Sequence, residues 1–342
     1  MAITAQASKS IDLTTRKFSV RRFVYPALLL SIYASWFSYM FLSDSWHLFA
    51  EYWPVSLTMT LGSFVAGATA EGGAAVAFPV FTKVLHIPST DARTFGLMIQ
   101  AVGMTMAGVV IWVQRVKVLP RVIAWVSFGG IFGQIVGTYF LSIPNPYPKI
   151  LFTFVATAFG VAMMISRWWI NWTPRESLPA WNRSHKALFF LIGIFGGAFA
   201  AQTGSGIDML TFIVLTLAFG IDEKISTPTT VTLMGLNSIV GFFLHGVVLQ
   251  DIGIAWNYWL VAVPIVILGA PFGAYFASKV HRDGIIKFLL FLIGVELVTT
   301  ILLIPFTNTA IMITAAVVLF ATICFAAMLR YRQQTLGQAN PA

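Results

Sequence analysis

Two long apolar runs, each interrupted by glycines and one carboxylate, constrain this chain more than any other feature. The first run, 55–86, is broken at 68–73 by the sequence ATAEGG, and the second, 187–219, is broken at 201–208 by AQTGSGID. Non-helical backbone at membrane depth is tolerated where it lines a polar site. The pattern therefore predicts two broken helices that share a binding site for a polar ligand.

The composition indicates that the surrounding structure is a membrane protein. Only 10% of the residues are charged, 58% are hydrophobic and the mean hydropathy is +0.84. Soluble proteins carry roughly 25% charged residues. The net charge of +9 comes from Lys and Arg in the short gaps between apolar runs, where they orient a chain in the bilayer. We therefore expect the lipid bilayer, and no nucleic acid, as a partner.

Eight uninterrupted apolar runs predict full spans. A basic segment at 1–22 precedes the first of them, which is too long for a cleaved signal peptide and lacks a small-residue cleavage site. We predict a cytoplasmic segment at 1–22, a single transmembrane domain at 23–330 and a cytoplasmic tail at 331–342. The predicted spans are 23–42, 95–113, 122–141, 150–165, 229–249, 256–277, 288–304 and 310–329.

The charged loops fix how the interrupted runs must cross. The acidic, aromatic segment 44–54 suits the outer side, whereas the basic clusters at 115–121, 167–186 and 279–287 suit the cytoplasm. One uninterrupted span separates the outer segment 44–54 from the cytoplasmic cluster 115–121, so the first interrupted run cannot also cross the membrane. Two uninterrupted spans separate the cytoplasmic clusters 167–186 and 279–287, so the second interrupted run cannot cross either. Each interrupted run must therefore return to the side from which it enters. The halves of the first run, about sixteen and thirteen residues, are also shorter than the roughly 20 residues of a span. We predict an all-α polytopic protein with two re-entrant hairpins that enter from opposite sides.

An internal repeat supports this arrangement. Laying Thr94 on Thr227 also aligns Gly73 with Gly206, and the order of break, polar turn, threonine and span recurs. Repeats of opposite orientation are common in alternating-access carriers. We predict an inverted repeat over about 55–165 and about 187–304, flanked by the spans 23–42 and 310–329.

The chemistry of the breaks favours an anionic ligand. A half-helix that begins inside the membrane leaves N–H groups unpaired and carries partial positive charge at its start. The competing interpretation is that the glycines only permit close helix crossing. The residues predicted to bind the substrate are Thr69, Gly72, Gly73, Ala74, Gln202, Thr203, Gly204, Ser205 and Gly206.

Glu71 and Asp208 conflict with a pure anion site, because a carboxylate at the bilayer centre costs at least about 2.5 kcal/mol. Protonation would resolve the conflict and couple the proton flux to the anion flux. A structural role as a cap on helix N–H groups is an equal alternative for Asp208. His245 is a further candidate for proton coupling. Glu296 lies in the middle of a span without an assigned role.

Polar residues inside other spans have a simpler explanation. Gln100, Gln134 and Asn237 are expected to form hydrogen bonds between helices.

Enzymatic alternatives find little support. The sequence around Asp208 is similar to that of intramembrane aspartyl proteases, yet the second intramembrane aspartate is missing. Ser205 and His245 could form a serine protease dyad, but nothing brings them together. With one cysteine, no phosphate-binding loop and no paired metal-ligand motif, we expect no catalytic residues, cofactor or metal. An uncoupled anion channel is the main alternative.

The motif EGGAAVAFP at 71–79, the polar turn and threonine that follow, and their recurrence resemble the sulfite exporter TauE/SafE family, also called the toluene sulfonate uptake permease family. The resemblance extends from about Val55 to Leu329. It implies a secondary carrier of the cell inner membrane that moves a small anionic substrate, either sulfite or an organosulfonate such as sulfoacetate or isethionate, often outward. Glu71 departs from the glycine common at that position. The oligomeric state is left open, a homodimer being one option.

Overall fold

The structure is a computed structural model that describes residues 21–70, 72–141, 143–144, 146–165, 168, 174–178, 181–304 and 306–337. These residues form helices joined by short connections. The helices are α1 (Arg21–Leu42), α2 (Leu48–Glu51), α3 (Trp53–Ala68), α4 (Ala74–Pro79), α5 (Ser89–Val113), α6 (Pro120–Phe140), α7 (Tyr147–Met164), α8 (Arg183–Thr203), α9 (Ile207–Ile213), α10 (Glu223–Phe243), α11 (Ala255–Lys279), α12 (Arg282–Leu303) and α13 (Asn308–Gly337).

Within the described residues, eight helices are long and apolar enough to cross a membrane. An all-α, polytopic membrane protein is therefore confirmed. One of the eight is α8, which was expected to be only half of a hairpin, whereas α7, which covers the predicted span 150–165, is not among them. α8 is longer than predicted because it begins at a capping box, in which the His185 N–H donates to Asn182 Oδ1 at 2.9 Å.

The first hairpin enters and leaves at one end of α11. It consists of α3, the break, α4 and a π-helical extension, Val80–Val84. Tyr52, just before α3, and Phe81, in the returning arm, both pack on the ring of Tyr258, with ring centroids 5.1 and 6.4 Å away. Because Tyr258 lies near the start of α11, the hairpin starts and finishes at that end of the bundle.

The second hairpin enters and leaves at the other end of α11. It consists of α8, the break, α9 and the π-helical extension Val214–Ala218. Arg175, in the segment that leads to α8, donates its N–H to Gly220 O at 2.8 Å and accepts from the Asp222 N–H at 2.9 Å. Asp222 shares a surface depression with Lys279, at the end of α11. The two hairpins therefore enter the bundle from opposite ends, which agrees with the predicted opposite orientations; the side of a membrane that each end faces stays a prediction.

Helix packing repeats between the two halves. α3 packs along α11 and α8 packs along α6, while α5 and α10 pack against each other between these pairs. Glycines permit both close contacts: a β-carbon at Gly67 would collide with Ala270 O, and one at Gly137 would lie 2.6 Å from Ala198 O. Close helix crossing was the competing explanation for the glycines of the breaks; it accounts for Gly67 and Gly137, which lie outside the breaks. The exact domain limits stay predictions.

The helices α5 and α10 both begin earlier than the apolar runs from which they were predicted. α5 starts at Ser89 rather than about 95, and α10 starts at Glu223 rather than about 229. Asp222 caps α10, since its Oδ1 accepts the Lys224 N–H at 2.8 Å. The threonines after it lie inside the helix, where the Thr229 hydroxyl donates to a backbone carbonyl at 2.6 Å. Polar residues in the first turns conceal these starts from a hydropathy pattern.

Candidate functional site

The two breaks meet inside the protein. Gly72, at the apex of the first hairpin, has a φ of +68° and lies against the second break. A β-carbon on Gly72 would be 2.8 Å from Asp208 Oδ2, 3.0 Å from Gln100 Oε1 and 3.1 Å from Ser205 Oγ. Any side chain at Gly72 would therefore be strained in its backbone and crowded by polar atoms. The first hairpin approaches the second with bare backbone at this point.

Gln100 of α5 holds the second break in place. Its Nε2 donates to Gly204 O at 2.6 Å and to Gly96 O at 3.0 Å. The expected interhelical hydrogen bond of Gln100 is thus confirmed. Because Gln100 lies near the middle of the 25-residue α5, which is a full-length span, the junction of the breaks lies near the middle of that span.

Asp208 covers the start of α9. Its Oδ1 accepts the N–H groups of Gly206 at 2.9 Å and Met209 at 3.0 Å, and the Ser205 hydroxyl donates to the carboxylate at 3.1 Å. The side chain is fully buried. This is the capping geometry that was set beside proton coupling for Asp208. The protein thus places its own carboxylate where the N–H groups would otherwise meet an anion.

The other predicted polar residues point to backbone carbonyls. The hydroxyls of Thr69 and Thr203 donate to carbonyls one turn earlier in their helices, at 3.1 and 3.0 Å. Gln202 Nε2 donates to Gly137 O at 2.8 Å and Leu141 O at 2.9 Å, which ties the end of α8 to α6. These three side chains stabilise the break, and a ligand would have to compete with those hydrogen bonds.

A small cavity adjoins the junction. Its walls include Gly73 from the first break, Thr203 from the second, and Gly96 and Gln100 from α5. The cavity has a volume of about 10 Å³, which is about the space that one water molecule needs. Its walls therefore combine predicted residues of both hairpins.

For three further residues of the predicted site, the structure does not describe a side chain at the junction of the breaks. Glu71 lies outside the described residues, and Ala74 begins α4 but its side chain is not described. His245 is not placed with Asp208: its Nδ1 pairs with Asp251 Oδ1 at 2.8 Å, beyond the end of α10. Ser205 bonds to Asp208 and His245 pairs with Asp251, so no Ser205–His245 dyad is formed among the described contacts.

Two amides that were expected to bridge helices do not do so. The side-chain nitrogen and oxygen atoms of Gln134 and Asn237 are buried without a hydrogen-bond partner among the described residues. Gln134 lies against Gly241, and Asn237 lies against Gly130, so both occupy the contact between α6 and α10. The expectation of interhelical hydrogen bonds is wrong for these two residues.

The structure contains a buried ion pair that the sequence analysis did not predict. Lys83, in the returning arm of the first hairpin, pairs with Glu296 of α12 at 3.2 Å. Glu296 had no assigned role, and Lys83 was counted within an apolar run. A lysine inside such a run is the signal that predicts a buried partner.

Comparison with known proteins gives one match. A family model described as Sulfite exporter TauE/SafE matches residues 55–299. The matched segment contains both hairpins and extends from α3 into α12. Comparisons with curated proteins and with solved structures gave no match.

Proposed function

Because the chain belongs to the sulfite exporter TauE/SafE family, we propose that it is a secondary carrier that exports a small sulfur-containing anion. The substrate class is sulfite or an organosulfonate such as sulfoacetate or isethionate. The family and the eight apolar helices establish a multi-pass membrane protein. Its placement in the inner membrane with cytoplasmic termini belongs to the proposal and rests on the distribution of basic residues.

The observation that carries the proposal is the junction of the two breaks. Gly72 brings the first hairpin into contact with Ser205 and Asp208 of the second, near the middle of α5. A site between oppositely inserted half-helices can be opened to either side by movement of one repeat against the other. The proposed substrate contacts are therefore the glycines and hydroxyls of the two breaks.

Asp208 has a specific part in this mechanism. Its carboxylate accepts N–H groups at the start of α9, which is the place that a sulfonate oxygen would occupy. Substrate binding then requires that the carboxylate turn away or lose its charge. Asp208 stabilises the empty site by accepting these N–H groups. It also displaces the substrate anion from them, so substrate binding is reversible.

Proton coupling is part of the proposal. A monovalent anion that crosses with one proton moves no net charge through the bilayer, which avoids the cost of charge transfer. Because an acidic outer side favours uptake of the proton and the anion together, export requires an outward anion gradient that exceeds the opposing pH difference. Glu71, Asp208 and His245 were the predicted proton-binding residues, and a role for each stays a prediction.

The purified protein in liposomes tests this function. Uptake and efflux of sulfite, sulfoacetate, isethionate and taurine would be measured with and without an imposed pH gradient. We expect saturable flux of at least one of these anions, and its rate should respond to the gradient. Absence of flux for all four would contradict the proposal, and flux indifferent to pH would favour the uncoupled channel.

A further inference from the structure

A charged cluster lies buried between the first hairpin and α12. Lys83 Nζ is 3.2 Å from Glu296 Oε1, and their side chains are 3% and 5% exposed. The ammonium also donates to Thr299 Oγ1 at 3.2 Å and Thr300 Oγ1 at 2.9 Å. Ionisable residues inside a membrane are costly and mark ion pathways or proton relays. The cluster therefore calls for a role beyond packing.

The two oxygens of Glu296 have different surroundings. Oε1 accepts from Lys83, from the Thr153 hydroxyl at 2.7 Å and from the Thr300 hydroxyl at 3.2 Å. Oε2 is buried and has no hydrogen-bond partner within the described part of the chain. A buried acceptor without a partner is destabilising. Oε2 is thus the atom at which a proton would be bound.

The ion pair breaks the symmetry of the two halves. The alignment of Thr94 on Thr227 places Thr216 at the position of Lys83 and Met163 at the position of Glu296. Thr216 and Met163 are both buried, and Met163 belongs to an apolar cluster with Leu217. Among the described residues, the first hairpin has this charged contact and the second does not. If the hairpins exchange environments during alternating access, this contact gives the two conformations different stabilities.

We infer that Glu296 is the proton-binding residue of the transport cycle, with Lys83 as its partner. A proton from the aqueous phase binds Oε2 and converts the carboxylate to a neutral acid, so the net charge of the pair rises from zero to +1. A monovalent anion bound at the breaks returns the total charge of the ion pair and the anion to zero. The neutral acid holds Lys83 less strongly, which frees the returning arm of the hairpin to move. This inference rests on the proposed anion transport.

Few other charges act on Glu296. Lys149, near the start of α7, interacts electrostatically with both Lys83 and Glu296. On α12 itself, the sequence from Lys287 to the end of the helix contains no other charged residue. Lys83 is therefore the charged group in direct contact with Glu296, and Lys149 is a second positive group near the pair.

Two transport modes separate proton coupling from substrate binding. Liposomes with the purified full chain would be tested with isethionate for counterflow at equal pH and for accumulation driven by an acidic outer medium. For Glu296→Gln, we expect counterflow close to that of the unaltered protein and at least a tenfold loss of gradient-driven accumulation, because exchange needs no net proton movement.

A double variant tests whether a loss of transport is caused by misfolding. Lys83→Met with Glu296→Met removes both charges, and such replacement of a buried ion pair is often neutral or stabilising. We expect it to retain counterflow and to lose the gradient response. The matched control is Glu176→Gln, which removes an exposed ion pair between Lys117 and Glu176, 2.8 Å apart, and should leave both modes unchanged.

Each outcome is decisive. Gradient-driven accumulation that survives in Glu296→Gln overturns the inference, as does loss of counterflow in both folded variants, since the pair would then serve structure or substrate binding. Loss of the gradient response in Asp208→Asn alone would place the proton at the break and likewise overturn it. If the unaltered protein transports none of the tested anions, the proposed function fails and this inference falls with it.

Discussion

Asp208 covers the start of α9, and in the proposed mechanism it competes there with the substrate anion. Its carboxylate accepts two N–H groups and one hydroxyl while fully buried. Asparagine keeps an oxygen that can accept these hydrogen bonds but removes the negative charge. We expect Asp208→Asn to lower the KM for the anion by roughly tenfold, which corresponds to about 1.4 kcal/mol.

Initial rates of isethionate counterflow would check this expectation. Asp208→Ala, in which the cap is lost, should reduce thermal stability, since buried donors without partners cost about 1–3 kcal/mol each. An unchanged or higher KM in Asp208→Asn, with unchanged stability in Asp208→Ala, would show that the carboxylate neither caps α9 nor competes with the anion.

At the residue scale, the sequence identifies most of the junction but not its partners. Glycines and carboxylates inside apolar runs mark the breaks, and the contact of Gly72 with Ser205 and Asp208 agrees with that prediction. The bonding of Gln100 to Gly204 and of Lys83 to Glu296 joins residues far apart in the chain. Hydropathy and spacing contain no information on such pairings, so the structure is needed to find them.

At the scale of helices, the same substitution should have opposite effects at two glycines. A β-carbon at Gly67 would collide with Ala270 O and lie 2.9 Å from Ala274 N, whereas one at Gly294 would meet nothing within 4 Å. Gly67→Ala must separate α3 from α11 and should cost about 1–3 kcal/mol. Gly294→Ala should stabilise α12 by about 0.5–1 kcal/mol through its helix propensity.

Thermal unfolding of both variants in detergent would measure the difference. The account requires a lower Tm for Gly67→Ala and an equal or higher Tm for Gly294→Ala. Equal decreases in both would show that the contact between α3 and α11 is less close than described.

The hairpins were predictable as elements because charge placement and run length act together. The number of spans between acidic and basic loops requires each interrupted run to return to the side from which it enters. The ring contacts of Tyr258 in the first hairpin and the backbone hydrogen bonds of Arg175 in the second agree with this requirement. Helix starts were less predictable, since α8 gains a turn from the Asn182–His185 capping box. A cap depends on local hydrogen bonds, which are not visible in hydropathy.

At the scale of the whole molecule, the orientation in the membrane can be tested with single cysteines. The natural Cys324 would first be replaced by serine. In this background, Lys117→Cys and Ile254→Cys place exposed thiols in the connections at opposite ends of the bundle. Because basic loops stay cytoplasmic, a membrane-impermeant maleimide on intact cells should label position 254 and not position 117.

Permeabilised cells provide the control, in which both positions should react. Labelling of position 117 alone in intact cells would invert the topology, and labelling of both would contradict a membrane-spanning arrangement of the helices between them.

The junction of the two breaks is the central claim, and Gly72 tests it most directly. Isethionate counterflow in liposomes would be compared for the unaltered protein, Gly72→Ala and Gly62→Ala. Gly62 lies on the same hairpin, where a β-carbon would make only ordinary contacts of 3.5 Å or more. We predict transport by the unaltered protein and Gly62→Ala, and at least a tenfold loss in folded Gly72→Ala, because its β-carbon would fill the junction. Full counterflow by Gly72→Ala would contradict the account.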